Sequence, residues 1–241
     1  MRKITYKKIL ISAIIAAAML LSGCAKFPGG PIKTGKQLVV TLKVAGRFQL
    51  IDDANPSIRR FYFIAIDNDN DQSSGPWAVV APPFGGNGWV TSSQAVNSKG
   101  VTSFVEYDAQ NPQSNIYKIL PGSFFLNTTP PSSPIRYELL EGGSTLRVTI
   151  DFSQIETTAI PSGQISQLDI NFITTNQLAV NPSFTYPTRK WDSIGPTGQD
   201  YITIDTTANR IYSGDDPEGD VNDADLDIVY WQIEVQNVSS H

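Results

Sequence analysis

Two stretches of the chain concentrate hard oxygen donors. Asp67-Asn68-Asp69-Asn70-Asp71 places acids at alternating positions directly after an apolar run. The segment 215–227, DDPEGDVNDADLD, holds seven acids and no base. Carboxylates at such spacing on a turning loop suit Ca²⁺, which takes ~6–8 oxygen ligands. The first stretch departs from an EF-hand, since Gln72 stands where that loop needs Gly and Ala78 where it needs Glu. For it, Asp67, Asp69 and Asp71 are the candidate ligands, and an Asx-rich turn bonding its own backbone is the alternative. For the second, the candidates are Asp220, Asp223, Asp225 and Asp227, of which the last three alternate into a strand pattern and could share a face. Acids packed this densely repel one another unless they are solvated, spread apart or metal-bound, so an exposed acidic loop is the alternative here.

Aromatic faces are the other source of chemistry. Trp77, Trp89 and Trp191 sit beside Pro, Gly or turn residues, where exposed rings stack on sugars or apolar partners. They are the candidate ligand-binding residues, and plugging the ends of a folded domain is their alternative use. Trp231 lies in an alternating strand pattern and reads as core.

Several reactions lack their reagents. The chain has one His, at its last position (His241), and one Cys, Cys24. A Ser-His-Asp triad, a Cys-His pair and a His-rich metal site therefore miss an essential group. No GxxxxGK[ST] phosphate loop occurs. With 23 acidic against 18 basic residues, the chain is a poor match for a phosphate backbone, whose neutralisation needs clustered Lys and Arg, so no nucleic-acid partner is expected. A carboxylate-pair glycoside hydrolase needs only Asp and Glu and stays open as a minor alternative. The expectation is a protein that is not an enzyme.

The N-terminus carries an address. Residues 1–24 read MRKITYKKILISAIIAAAMLLSGC, with four basic residues, an apolar run from Ile9 to Leu21, small residues and then the single cysteine. A run of 13 residues is too short to span a bilayer at ~20 per crossing, which points to a secretory signal. The ending Leu21-Ser22-Gly23-Cys24 resembles the lipobox of bacterial lipoproteins. That resemblance implies cleavage after Gly23 and lipid attachment to the Cys24 thiol. The lipid bilayer would then be the first partner, with the chain facing outside the cytoplasm in the cell envelope. Ala25 after the cysteine is compatible with an outer membrane, if the organism has one. Removing residues 1–23 would take four of the 18 basic groups and none of the acidic ones, for a net charge of about −9. Residues 24–36, rich in Pro, Gly and Lys, read as a flexible tether.

From residue 37 to 238 the chain reads as one all-β domain of about ten strands. Strand patterns cover residues 37–44, 59–66, 77–80, 101–107, 115–120, 135–140, 145–152, 167–174, 201–205 and 226–235. Leu146, Val148, Ile150 and Phe152 share one face, as do Leu168, Ile170 and Phe172, and Val229, Trp231, Ile233 and Val235. Phe61–Ile66 (FYFIAI) is apolar on both faces and suits a central strand covered on both sides. Glu141-Gly142-Gly143-Ser144 between two strand patterns marks a tight hairpin. A short helical turn is expected near residues 152–156, and 176–199 reads as a long loop. The sum predicts an antiparallel β-sandwich.

The order of Arg60-Phe-Tyr-Phe-Ile-Ala-Ile-Asp67, Leu146-Arg-Val-Thr-Ile-Asp-Phe-Ser-Gln-Ile155 and Leu168-Asp-Ile-Asn-Phe-Ile-Thr-Thr-Asn176 resembles the DOMON and family 9 carbohydrate-binding-module group of β-sandwiches. The resemblance implies a non-catalytic binding module for glycan or envelope polymer. No ligand contact is transferred by it. The alternative is an envelope assembly protein that uses a sheet edge or the 176–199 loop to hold a protein partner.

Overall fold

The computed structural model describes residues 35–70, 75–77, 100–110, 113–118, 130–177, 188–198 and 200–237. Eleven strands occur among them: β1 Lys36–Val44, β2 Phe61–Asp67, β3 Ser103–Asp108, β4 Gln113–Lys118, β5 Arg136–Leu140, β6 Thr145–Asp151, β7 Gln167–Thr175, β8 Trp191–Ser193, β9 Ile202–Asp205, β10 Arg210–Asp215 and β11 Ile228–Asn237. They build two antiparallel sheets, as the alternating patterns predict. One has the order β10-β11-β1-β6-β5, the other β4-β3-β2-β7 with β8 and β9 both pairing with β7.

The core lies between the sheets. Leu38, Val40 and Leu42 of β1, Leu146, Val148 and Ile150 of β6, and Ile233 and Val235 of β11 face Tyr62, Ile64 and Ile66 of β2 and Leu168, Ile170 and Phe172 of β7 in one buried cluster. Trp231 packs on this core, stacked over Phe172 at 6.3 Å between centroids. Its indole occupies the space beside Gly214 on β10, where an added Cβ would come within 2.7 Å of the ring.

Strand β2 is central and buried on both faces. Phe63 and Ala65 turn away from the main core and join Val101, Phe104 and Ile173 in a second cluster. The Glu141–Ser144 hairpin joins β5 to β6, with positive φ at Gly142 (70°) and Gly143 (97°), where glycine is unstrained. Residues 152–154 form a 3₁₀ turn closed by a capping box between Asp151 and Gln154. Two strands lie outside the patterns read from the sequence, β8 within the expected 176–199 loop and β10. Strand β10 pairs with β11 alone among the described residues, and its sequence RIYSGD is largely exposed, so no apolar alternation marks it. No helix among the described residues is long and apolar enough to cross a membrane.

Candidate functional site

The outer face of the five-stranded sheet is polar because the strand period of two sends every second residue there. Register places Asp215, Tyr230, Lys43, Thr145 and Leu140 in one row across the sheet, and Gln232, Thr41, Arg147 and Glu138 in the next. A bulge between Lys43 and Val44 shifts the β1–β11 register beside Val229. These rows apart from Glu138, together with Val229 and Glu141 of the hairpin, line a groove of about 470 Å³. Lys43 pairs with Glu141 at 2.7 Å and Arg147 lies 3.8 Å from Glu138. Tyr230 Oη donates to Gln232 Oε1 at 2.9 Å, and Arg147 Nε donates to Thr41 Oγ1 at 3.4 Å. The hydrogen bond and charge of Lys43 hold the exposed Glu141 carboxyl below the ordinary glutamate range.

The acidic segment between β10 and β11 folds over one end of the sandwich and is divided between two partners. One half meets Arg60, buried just before β2. Arg60 Nη2 lies 2.8 Å from Asp52, 3.1 Å from Asp223 and 3.1 Å from Asp225. Asp225 also accepts from the Arg47 amide at 2.8 Å and from the Gln49 side chain. The close approach requires Gly46, whose amide donates to the Ala224 carbonyl at 2.6 Å and where a Cβ would collide with Asp225. Thr174 of β7 donates to the Leu226 carbonyl, tying the segment to the other sheet.

The other half gathers around Asp192 of β8. Asp192, Asp220 and Asp227 each bring a carboxylate oxygen within 4.8 Å of the others. The pairing of Asp192 with Thr174 puts it on the inner side of β8, opposite in direction to Trp191. Asp192 accepts from the Ser193 amide at 2.8 Å and the Ile228 amide at 2.6 Å, and Asp227 from the Gly219 amide at 2.8 Å. Asp216, which follows β10, accepts from the Gly195 amide at 3.3 Å. Burial, then the neighbouring Asp220 and Asp216 charges, pushes Asp192 up to about 7. Asp216 is raised by burial first and then by the Asp220 and Asp227 charges, and Asp227 by burial first and then by a side-chain hydrogen bond with Asp220 and the Asp220 and Glu218 charges. No ion pair to any of these four occurs among the described residues. Oxygen-only donors of this kind could hold a hard divalent cation.

Of the ligands expected from the sequence, the structure therefore brings Asp220 and Asp227 together and gives Asp223 and Asp225 to Arg60. The sequence reading missed Asp192 and Asp216 as members of the group. Asp216 lay within the acidic segment already singled out, whereas Asp192 is an isolated acid with no local signal. In the first acidic stretch, Asp67 ends β2 at 1% exposure opposite Asp169 of β7, and Asp69 follows on the turn. Burial, then Asp69 and Asp169, pushes Asp67 up to about 8. Asp71 lies outside the described residues, as do Trp89 and Cys24. Trp77 is half-buried next to Pro76, whose carbonyl accepts from the buried Asn171 side chain at 2.7 Å. Trp191 is half-buried against the second apolar cluster rather than standing in solvent.

Comparison of the chain with protein-family models, with curated proteins and with solved structures gives no match. Fold and site together define a two-sheet antiparallel β-sandwich with a polar groove on one outer face and a carboxylate-rich end.

Proposed function

We propose that this chain is a lipid-anchored, extracytoplasmic binding module that holds a glycan or envelope polymer without transforming it. The groove on the five-stranded sheet carries the reading. It offers the Tyr230 ring for stacking on a sugar face, surrounded by the hydroxyl, amide, ammonium and guanidinium groups of Thr41, Gln232, Lys43 and Arg147. Two cations among Glu138, Glu141 and Asp215 give a mixed surface, which suits neutral or mixed-charge sugars better than a polyanion. Glu141 is a poor general acid because Lys43 shifts it in the wrong direction for that role. Attachment through Cys24 rests on the leader pattern and would fix the groove near a membrane surface.

The full-length chain, extracted in detergent, is expected to be retained on at least one immobilised polysaccharide. Tyr230→Ala and Arg147→Ala are each expected to weaken retention about two- to tenfold, the scale of one stacking or polar contact. Cys24→Ser should release the protein from the membrane fraction and abolish palmitate labelling. Binding that ignores both groove substitutions, or no retention on any polysaccharide, would sink the glycan reading. A second reading has its own observation: Ile211 is 64% exposed on the edge strand β10. An exposed edge can add a strand from a partner protein, and a fixed co-purifying partner lost in Ile211→Lys would favour an envelope assembly role.

A further inference from the structure

We propose that Asp192, Asp220 and Asp227 form a Ca²⁺ site that clasps the two sheets at one end of the sandwich. The inference is independent of the glycan reading, since it concerns what holds the acidic end closed.

Three observations converge on it. The first is reach. Two oxygens each about 2.4 Å from one ion lie at most about 4.8 Å apart, and Asp192, Asp220 and Asp227 meet that limit pairwise. The second is unspent ligand capacity in a buried group. Asp227 is 2% exposed and its Oδ1 has no hydrogen-bond partner. A buried, unpaired carboxylate oxygen is costly unless a cation supplies what the protein does not. The third is the division of charge. Arg60 satisfies Asp223 and Asp225 from the same segment, but no ion pair reaches the other half among the described residues, where the nearby Lys190 donates to the Asn222 carbonyl at 2.6 Å instead.

The donors choose the ion. All are carboxylates, which favour hard cations over Zn²⁺ or Cu²⁺. Three side chains from separate positions, with the exposed Asp220 facing solvent, suit the larger and more tolerant coordination of Ca²⁺ better than the tight octahedron of Mg²⁺. The placement states the consequence. Asp220 and Asp227 belong to the β10–β11 connection of one sheet, and Asp192 to β8 of the other. An ion among them bridges the sheets as Arg60 does a few residues further along the same segment.

The test uses the full-length chain in detergent, stripped with EGTA and titrated with CaCl₂ by calorimetry, with melting followed in parallel. A hundredfold excess of Ca²⁺ over its Kd is expected to raise the melting temperature by roughly 5–10 °C. Asp220→Ala, at a solvent-exposed position, is expected to fold, to lose at least tenfold in affinity and to abolish the shift. Asp67→Asn, at the end of β2 that pairs with Asp169 far along β7 from Thr174, should leave the shift intact. An unchanged melting temperature in Ca²⁺ would overturn the proposal. So would a shift that survives Asp220→Ala, or one that disappears only in Asp67→Asn. Tighter binding of Mg²⁺ than of Ca²⁺ would overturn the choice of ion.

Discussion

Arg60→Met is expected to destabilise the fold by about 3–5 kcal/mol, the scale for removing one partner of a buried ion pair. In a domain of this length that lowers the melting temperature by on the order of 10 °C. Arg60 is 4% exposed and its guanidinium meets Asp52, Asp223 and Asp225. Removing it leaves Asp223, itself buried in the pair, without a counter-charge, and cuts the tie between β2 and the β10–β11 connection. The loss comes from stranded carboxylates rather than from missing contact area, and a rescue experiment separates the two. Adding Asp223→Asn and Asp225→Asn to Arg60→Met should recover a substantial part of the stability. A single variant that melts within two or three degrees of the parent, or a triple variant no better than the single, would show that Arg60 is not the organiser of this end.

The second large effect is a stability that falls as pH rises from about 4 to about 8 when divalent cations are chelated. Folding raises Asp67 to about 8 and Asp192 to about 7, and moves Asp216, Asp227 and Glu106 upward as well, in each case through burial first. Unfolded carboxyls titrate near ~4. Between those limits the folded state holds protons that the unfolded state has released, so stability declines with pH across the window. Its contribution is fully present below the unfolded value and lost as pH passes the folded one. The combined decline should be on the order of a few kcal/mol. At the acid extreme the sign reverses. Asp52, Asp205 and Glu141 are lowered on folding by hydrogen bonds and by Arg60, Arg210 and Lys43, so their stabilisation disappears as pH falls through their depressed values. The maximum is expected in mildly acidic buffer. Melting curves in EGTA between pH 3 and pH 9 measure it, and Asp67→Asn should flatten the alkaline side. A profile that is level or rising from pH 5 to pH 8 would contradict the burial of these groups.

The first effect and the Asp216 and Asp227 part of the second share a cause. The acidic connection is pulled onto the sandwich by its own backbone bonds, including Ala45 to Asp227 and Gly46 to Ala224, and its carboxylates are carried inward with it. Asp223 and Asp225 find a guanidinium, whereas burial and like charges favour the protonated form of Asp216 and Asp227.

The class of fold and much of the sheet structure were legible in the spacing of apolar residues. Alternation in β6, β7 and β11 placed Leu146, Ile170 and Ile233 inward, because a strand exposes its two faces in turn and water sorts them. The two-faced run at Phe61–Ile66 marked a strand covered on both sides, and Gly142-Gly143 marked the hairpin. Strands β8 and β10 were not legible, since a three-residue strand is too short to show a period and an exposed edge strand has no apolar face to alternate. The sequence also flagged the acidic segment but could not divide it. That Asp223 meets Arg60 while Asp227 meets Asp192 follows from which loops the two packed sheets bring to the same end. Local pattern encodes the face a side chain takes, and only the packing of one sheet on the other decides which distant charges become neighbours.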